Sequence, residues 1–322
     1  MRPIRSLPFL VLSCLLVVGT ATPSAQASLR GRQFPIPTPE SRPGGIGAGP
    51  DGNLWFTEGG GNRIGRITTS GSITEYLVPT ANSFPYGIAL GPDGPIWFTE
   101  VSGSRIGRIT TDGTITDEFP IPTAGSAPYG IDAGADGALW FCEYGSNKFG
   151  RITIGGTFTE YAIPTGDGGP FGIAAGPDGA LWFTEYNVSK IGRITTGGTF
   201  TEFTVPTVSS QPFDIAAGPD GALWFTEWGG NKIGRITTDG TFKERRLPSA
   251  EGGPRGIAAG PDGNLWFTEG DGNRIGRITL LGAITESPRI TNSFPEAIAA
   301  GPDVAMWFTE WTGNKIGTIS LS

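Results

Sequence analysis

One tetrapeptide governs what this chain can fold into. Trp-Phe-Thr-Glu recurs at Trp55, Trp97, Trp140, Trp182, Trp224, Trp266 and Trp307, with Cys142 for Thr in the third copy, at spacings of 42, 43, 42, 42, 42 and 41 residues. A period of this length marks a repeat architecture, in which each unit buries its apolar surface against its neighbours. Within a unit lie four short β-type segments, typified by residues 171–175, 181–185, 191–195 and 200–205, here called strands A, B, C and D. The A-to-B link reads Gly-Pro-Asp-Gly in five units, Gly134-Ala135-Asp136-Gly137 in the third, and ends in Val304 in the seventh. Pro presets one turn residue and Gly supplies positive φ, so the link is a tight hairpin. The C-to-D link, as in Thr110-Thr111-Asp112-Gly113-Thr114, is a second hairpin. Three hairpin-linked turns of chain followed by a Pro-rich connection make one blade, and the fold class is an all-β, seven-bladed β-propeller with four-stranded blades.

Counting segments decides how the ring closes. The seventh unit stops after strand C, at Ile316-Gly317-Thr318-Ile319-Ser320, whereas Gln33-Phe34-Pro35-Ile36-Pro37-Thr38 near the other end matches strand D of the second unit, Glu118-Phe119-Pro120-Ile121-Pro122-Thr123. The N-terminal strand is expected to complete blade seven. An open solenoid, the alternative, would leave both ends uncapped. Small residues fill strand A, as in Ile257-Ala258-Ala259-Gly260, which suits a crowded innermost strand, and the Trp and Phe of strand B are expected to pack between blades.

Residues 1–27 read as a secretory signal. Arg2 and Arg5 precede an apolar run from Leu7 to Gly19 that is too short to span a bilayer, and Ala25-Gln26-Ala27 offers a cleavage site. The expected mature protein is therefore a single propeller domain over residues 28–322, secreted or periplasmic, with no membrane attachment after cleavage. It would carry 21 basic against 30 acidic residues, a formal charge of −9, which disfavours nucleic acid as a partner. Cys14 leaves with the signal, so Cys142 has no internal disulfide partner and the fold must hold by packing. A monomer is expected.

Strand B ends where strand A begins, so both meet at one rim, the natural place for a site. Seven glutamates arrive there: Glu58, Glu100, Glu143, Glu185, Glu227, Glu269 and Glu310. If gathered about 8 Å apart they would repel by about 0.5–2 kcal/mol per pair, and a divalent cation would relieve this. Five residues after each stands a cation, Arg63, Arg105, Lys148, Lys190, Lys232, Arg274 and Lys315, so a hairpin-spanning ion pair explains the same residues without a ligand. Asymmetry is the better guide to function. The residue opening strand A is Gly44, Tyr86, Tyr129, Phe171, Phe213, Arg255 and Glu296 in turn, and Tyr144, Tyr186, Trp228 and Trp311 follow the Glu in four blades. Such rings would line a funnel suited to a small-molecule or glycan-like ligand, or would merely plug the channel. Tyr86, Tyr129, Phe171, Phe213, Arg255, Trp228 and Trp311 are the candidate binding residues.

The units Pro-Tyr-Gly-Ile, Gly-Pro-Asp-Gly, Leu-Trp-Phe-Thr-Glu and Asn-Lys-Ile-Gly-Arg-Ile resemble the streptogramin B lyases, also called virginiamycin B lyases, over residues 33–322. The resemblance implies a seven-bladed propeller that confers antibiotic resistance by linearising cyclic depsipeptides, eliminating across their threonyl ester with a magnesium ion and a histidine base. It also implies histidines at the positions of Arg255 and Glu296, a glutamate at Phe294, and a glutamate at Glu310. Only Glu310 is kept, and the chain has no histidine at all. The expected function is therefore a ligand-binding or interaction propeller. The alternative is a magnesium-dependent carbon–oxygen lyase with Glu296 as base and Glu310 as metal ligand.

Overall fold

Each Gly-Pro-Asp-Gly turn is stitched from within. In blade four Asp178 Oδ1 accepts from Trp182 Nε1 at 3.1 Å and from the Ala180 N–H, while Oδ2 accepts from Arg193 Nε of strand C at 2.6 Å. Gly179 adopts a φ of 75°, as the hairpin reading requires. The Arg193 guanidinium then lies 6.0 Å from the Trp182 ring centre. One aspartate thus fixes the turn, the core tryptophan and the neighbouring strand. The same arrangement recurs in blades one to six, and Thr318 replaces the arginine in blade seven.

The computed structural model describes residues 31–320, which form 28 strands in seven four-stranded antiparallel sheets. The signal segment expected at 1–27 lies outside the described residues. Blade four comprises Pro170–Ala175, Leu181–Glu185, Lys190–Ile194 and Phe200–Thr204, close to the segments read from sequence. Strands A of successive blades contact one another around the ring.

Cores form between blades and not within them. Residues alternate along strand B, so Phe183 packs toward Trp140, Phe149 and Ile163 of blade three. Trp182 faces the other way, toward Ile215, Leu223 and Phe225 of blade five. Seven such clusters result, each drawn from two neighbours.

A bulge in every strand A tunes the rim. The register skips between Pro170 and Ile173, and the freed N–H of Gly172 donates to Thr184 Oγ1 at 2.9 Å. Thr184 in turn donates to the Phe213 carbonyl of the next blade at 3.0 Å. Six threonines make this inter-blade bond. Cys142 breaks the ring, with its Sγ 3.7 Å from the Gly172 carbonyl.

Closure is as the segment count requires. Gly31–Pro35 pairs with Lys315–Ile319, from Gly31 opposite Ile319 to Pro35 opposite Lys315. The paired stretch starts and ends earlier than 33–38; beyond Pro35 one more bond follows, from the Ile36 N–H to the Asn314 carbonyl at 3.0 Å, and Pro37 has no N–H to continue it. Phe34 stacks on Trp307 at 5.7 Å between centroids, and Ile36 is buried.

Candidate functional site

The bulge turns the second residue of each strand A toward the mouth of the ring, where these side chains build a bowl of about 520 Å³. Its arc is continuous. The ring centres of Tyr86 and Tyr129 lie 5.0 Å apart, those of Tyr129 and Phe171 4.5 Å, and those of Phe171 and Phe213 4.3 Å. Tyr144, Tyr186 and Trp311 from the B-to-C loops raise the wall. Trp228 departs from expectation. It does not line the bowl but stacks beside Tyr186 and donates its indole N–H to Asp271 at 3.0 Å, on the rim.

Phe84 and Phe294 complete the lining, a role the sequence reading did not give them. Each precedes the strand-A proline and holds a left-handed backbone, φ 55° and 47°, a conformation costly for a residue with a Cβ. Phe294 earns its place against Arg255, whose guanidinium lies 4.6 Å from the Phe294 ring centre and 4.9 Å from that of Phe213.

Polar chemistry is concentrated at one point. Glu296, only 4% exposed, accepts from Arg255 Nη1 at 3.2 Å on both oxygens and from the Tyr86 hydroxyl at 2.6 Å. Burial pushes the Glu296 carboxyl above the usual range, and Arg255 and Tyr86 oppose that push. The Tyr86 phenol is raised well above its ordinary value by burial and by the Glu296 charge.

Beneath the bowl runs a channel of about 480 Å³ lined mainly by glycine, alanine and isoleucine, into which come Glu296 and two further acids, Asp132 and Asp214, that the sequence alone did not single out. Both are strapped to backbone. Asp132 accepts from the N–H groups of Ala133 and Ala175, and Asp214 from those of Ile215 and Ile257. Burial raises both carboxyls, that of Asp214 to about 7.

The glutamates of Trp-Phe-Thr-Glu are neither a metal ring nor partners of the facing cations. All seven are fully buried. Backbone register does set Glu185 opposite Lys190, but the lysine reaches the other way, to Glu202 of strand D at 3.0 Å. The same outward pairing joins Lys148 to Glu160, Lys232 to Glu244 and Arg274 to Glu286. Each inner glutamate of blades one to six is left beside a strand-D glutamate. Burial first, with that neighbour's charge behind it in most blades, raises Glu58 to about 9, Glu100, Glu185 and Glu227 to about 8, and Glu143 and Glu269 to about 7.

In blade seven Gln33 replaces the strand-D acid, and its Nε2 donates to both oxygens of Glu310, at 2.8 and 3.1 Å. Glu310 is not among the bowl's lining residues. Magnesium therefore fits poorly: Glu310 is taken by an amide, Glu296 by Arg255 and Tyr86, and no group of three metal-ligating side chains occurs among the described residues.

Fold and site define a seven-bladed β-propeller with an aromatic bowl at one mouth. The sequence matches the Virginiamycin B lyase family over residues 20–249 and 231–322, and the chain belongs to that family. A solved streptogramin B lyase superposes with a TM-score of 0.88 at 39% identity, covering 93% of this chain and all of the other. A catalytically inactive His-to-Ala variant of virginiamycin B lyase from Staphylococcus aureus, solved with quinupristin, gives 0.87 at 40% identity over 91% of this chain and all of that one. Virginiamycin B lyase from Bacillus licheniformis is 49% identical over 45 residues, a match spanning 15% of that relative and 14% of this chain.

Proposed function

We propose that this chain is an exported binding propeller whose bowl holds a ring-bearing small molecule, peptide-like or glycan-like, and leaves it chemically intact. The Tyr86–Glu296–Arg255 network carries this reading. Elimination across an ester needs a base with a free lone pair aimed at the α-proton, and a positioned base contributes about 10²–10⁴ in rate. Glu296 is buried and accepts three hydrogen bonds from Arg255 and Tyr86, which hold it in place and oppose its taking up a proton, and the chain has no histidine to serve instead. The relative solved with quinupristin supports the ligand class, since flat ring faces on this bowl suit a ligand that itself carries rings.

The test is incubation of the protein with quinupristin and magnesium. Elimination leaves the mass unchanged, so ring opening must be followed by chromatography and fragmentation. Binding by calorimetry with the ring intact is the expected result. Magnesium-dependent opening that disappears in Glu310→Gln would establish the lyase reading instead and make Glu296 the candidate base; absence of binding would remove the ligand class.

A further inference from the structure

The junction between blades six and seven differs from the other six in having no strand-D acid beside its strand-C cation, with Gln33 standing where blades one to six carry a glutamate. In blades three, four and five the strand-C lysine is gripped twice. Lys148, Lys190 and Lys232 donate to Thr123, Thr165 and Thr207 Oγ1 of the preceding linker, and each pairs with a strand-D glutamate. The linker also caps that glutamate through a backbone N–H, from Thr38 to Glu75 around to Ser249 to Glu286.

At the seventh junction both grips are missing. Strand D of blade six is cut to Ile284–Glu286, and the linker from Ile290 reaches Pro295 in five steps, against seven from Val78 to Pro85. No Pro-Thr pair follows Ile290, and the strand-D acid is Gln33. Among the described residues Lys315 Nζ bonds Gln33 Oε1, at 3.0 Å, and makes no ion pair. Glu310, the acid that feels its charge, has both oxygens engaged by the Gln33 amide.

The space left behind is a cleft of about 450 Å³ lined by Lys315, Gln33, Ser287, Arg289 and Thr291 among others, with no acidic side chain among the described residues. Arg289 is held at its edge by a bond from Nε to the Gly272 carbonyl at 3.1 Å and makes no ion pair among the described residues. Arg32 also lines the cleft but turns its guanidinium to the Ser70 carbonyl and the Phe34 ring, which leaves Lys315 and Arg289; two such cations without a facing acid, with hydroxyls nearby, are what an oxyanion requires. We propose that this cleft binds a phosphate or sulfate group between Lys315 and Arg289, and its volume admits the remainder of a small molecule bearing that group. The cleft lies on the flank of the ring and is independent of the bowl.

Thermal melting of the full chain in inorganic phosphate, and separately in sulfate, against chloride at matched ionic strength tests this. A saturable rise in melting temperature beyond chloride is expected. Lys315→Gln should weaken binding by about tenfold or more. Gln33→Glu introduces the acid that strand D carries in blades one to six; it removes the amide donor of Glu310, but those six blades fold with the same pair of acids, and the new carboxylate should abolish the rise by pairing with Lys315. No rise beyond chloride, or an equal rise in the wild type and both variants, overturns the site.

Discussion

Tyr86 of blade two donates to Glu296 of blade seven at 2.6 Å, reaching across the full width of blade one. Gly44 lets it pass. A Cβ there would lie 3.2 Å from the Tyr86 ring, 3.2 Å from the Tyr86 carbonyl and 2.9 Å from Thr57 Oγ1. The glycine that looks like a gap in the aromatic arc is thus what allows the arc to be tied to the acid on its far side.

Tyr86→Phe should therefore destabilise the protein by about 1–3 kcal/mol, because a buried carboxylate loses a donor while the ring packing stays. Chemical denaturation of the two proteins checks this. An unchanged midpoint would mean that Arg255 alone satisfies Glu296.

Stability should fall as pH rises. Six inner glutamates have folded values of about 7 to 9 against an unfolded value of 4.5. The native state thus holds protons that the unfolded state has released. Their stabilisation is complete below pH 4.5, declines above it, and is lost as pH passes through the folded values. Each contributes at most ~1.4 kcal/mol per pH unit in that window. Melting temperature measured from pH 5 to 9 should decrease. Glu75→Gln, which copies the Gln33 solution into blade one, should make the decrease shallower.

Cys142→Thr should be stabilising by about 0.5–1.5 kcal/mol. The substitution puts a hydroxyl where the thiol now makes a long contact to Gly172, and so restores the inter-blade bond that the other six blades possess. A lower melting temperature would mean that the sulfur packs better than the hydrogen bond repays.

Removing residues 31–38 should open blade seven. Phe34 leaves Trp307, Ile36 leaves the core, and Lys315–Ile319 becomes an unpaired edge. The buried Ile36 side chain is worth about 1.5–3 kcal/mol and the half-buried Phe34 less, and the exposed edge invites association. A lower melting temperature with concentration-dependent light scattering is expected.

The period of the Trp-Phe-Thr-Glu units carried the architecture and the closure, because a blade cannot bury its faces without neighbours and the missing seventh strand D has one match in the chain. The bowl was legible through the strand-A openings from Tyr86 to Glu296. The glutamate pairing was not. Strand C lies between B and D, so Lys190 has a carboxylate on either side, and sequence spacing favours the nearer Glu185. The structure favours Glu202, where water still reaches the ammonium and less desolvation is incurred. Phe84 escaped notice for a different reason. Its side chain reaches the bowl only because its backbone is left-handed, which nothing in a Phe-Pro pair announces.

The join between Gly31–Pro35 and Lys315–Ile319 has a temporal meaning as well as a spatial one. Gln33 and Glu310 are separated by 277 positions in the chain. The N-terminal strand therefore waits, unpaired, while six blades and most of a seventh are made, and the ring can shut only when the last strand emerges. Contacts of such long range are slow to form. A chain rejoined end to end and cut instead in a linker between two blades would carry every blade on one continuous segment, and should reach its closed form sooner than this one.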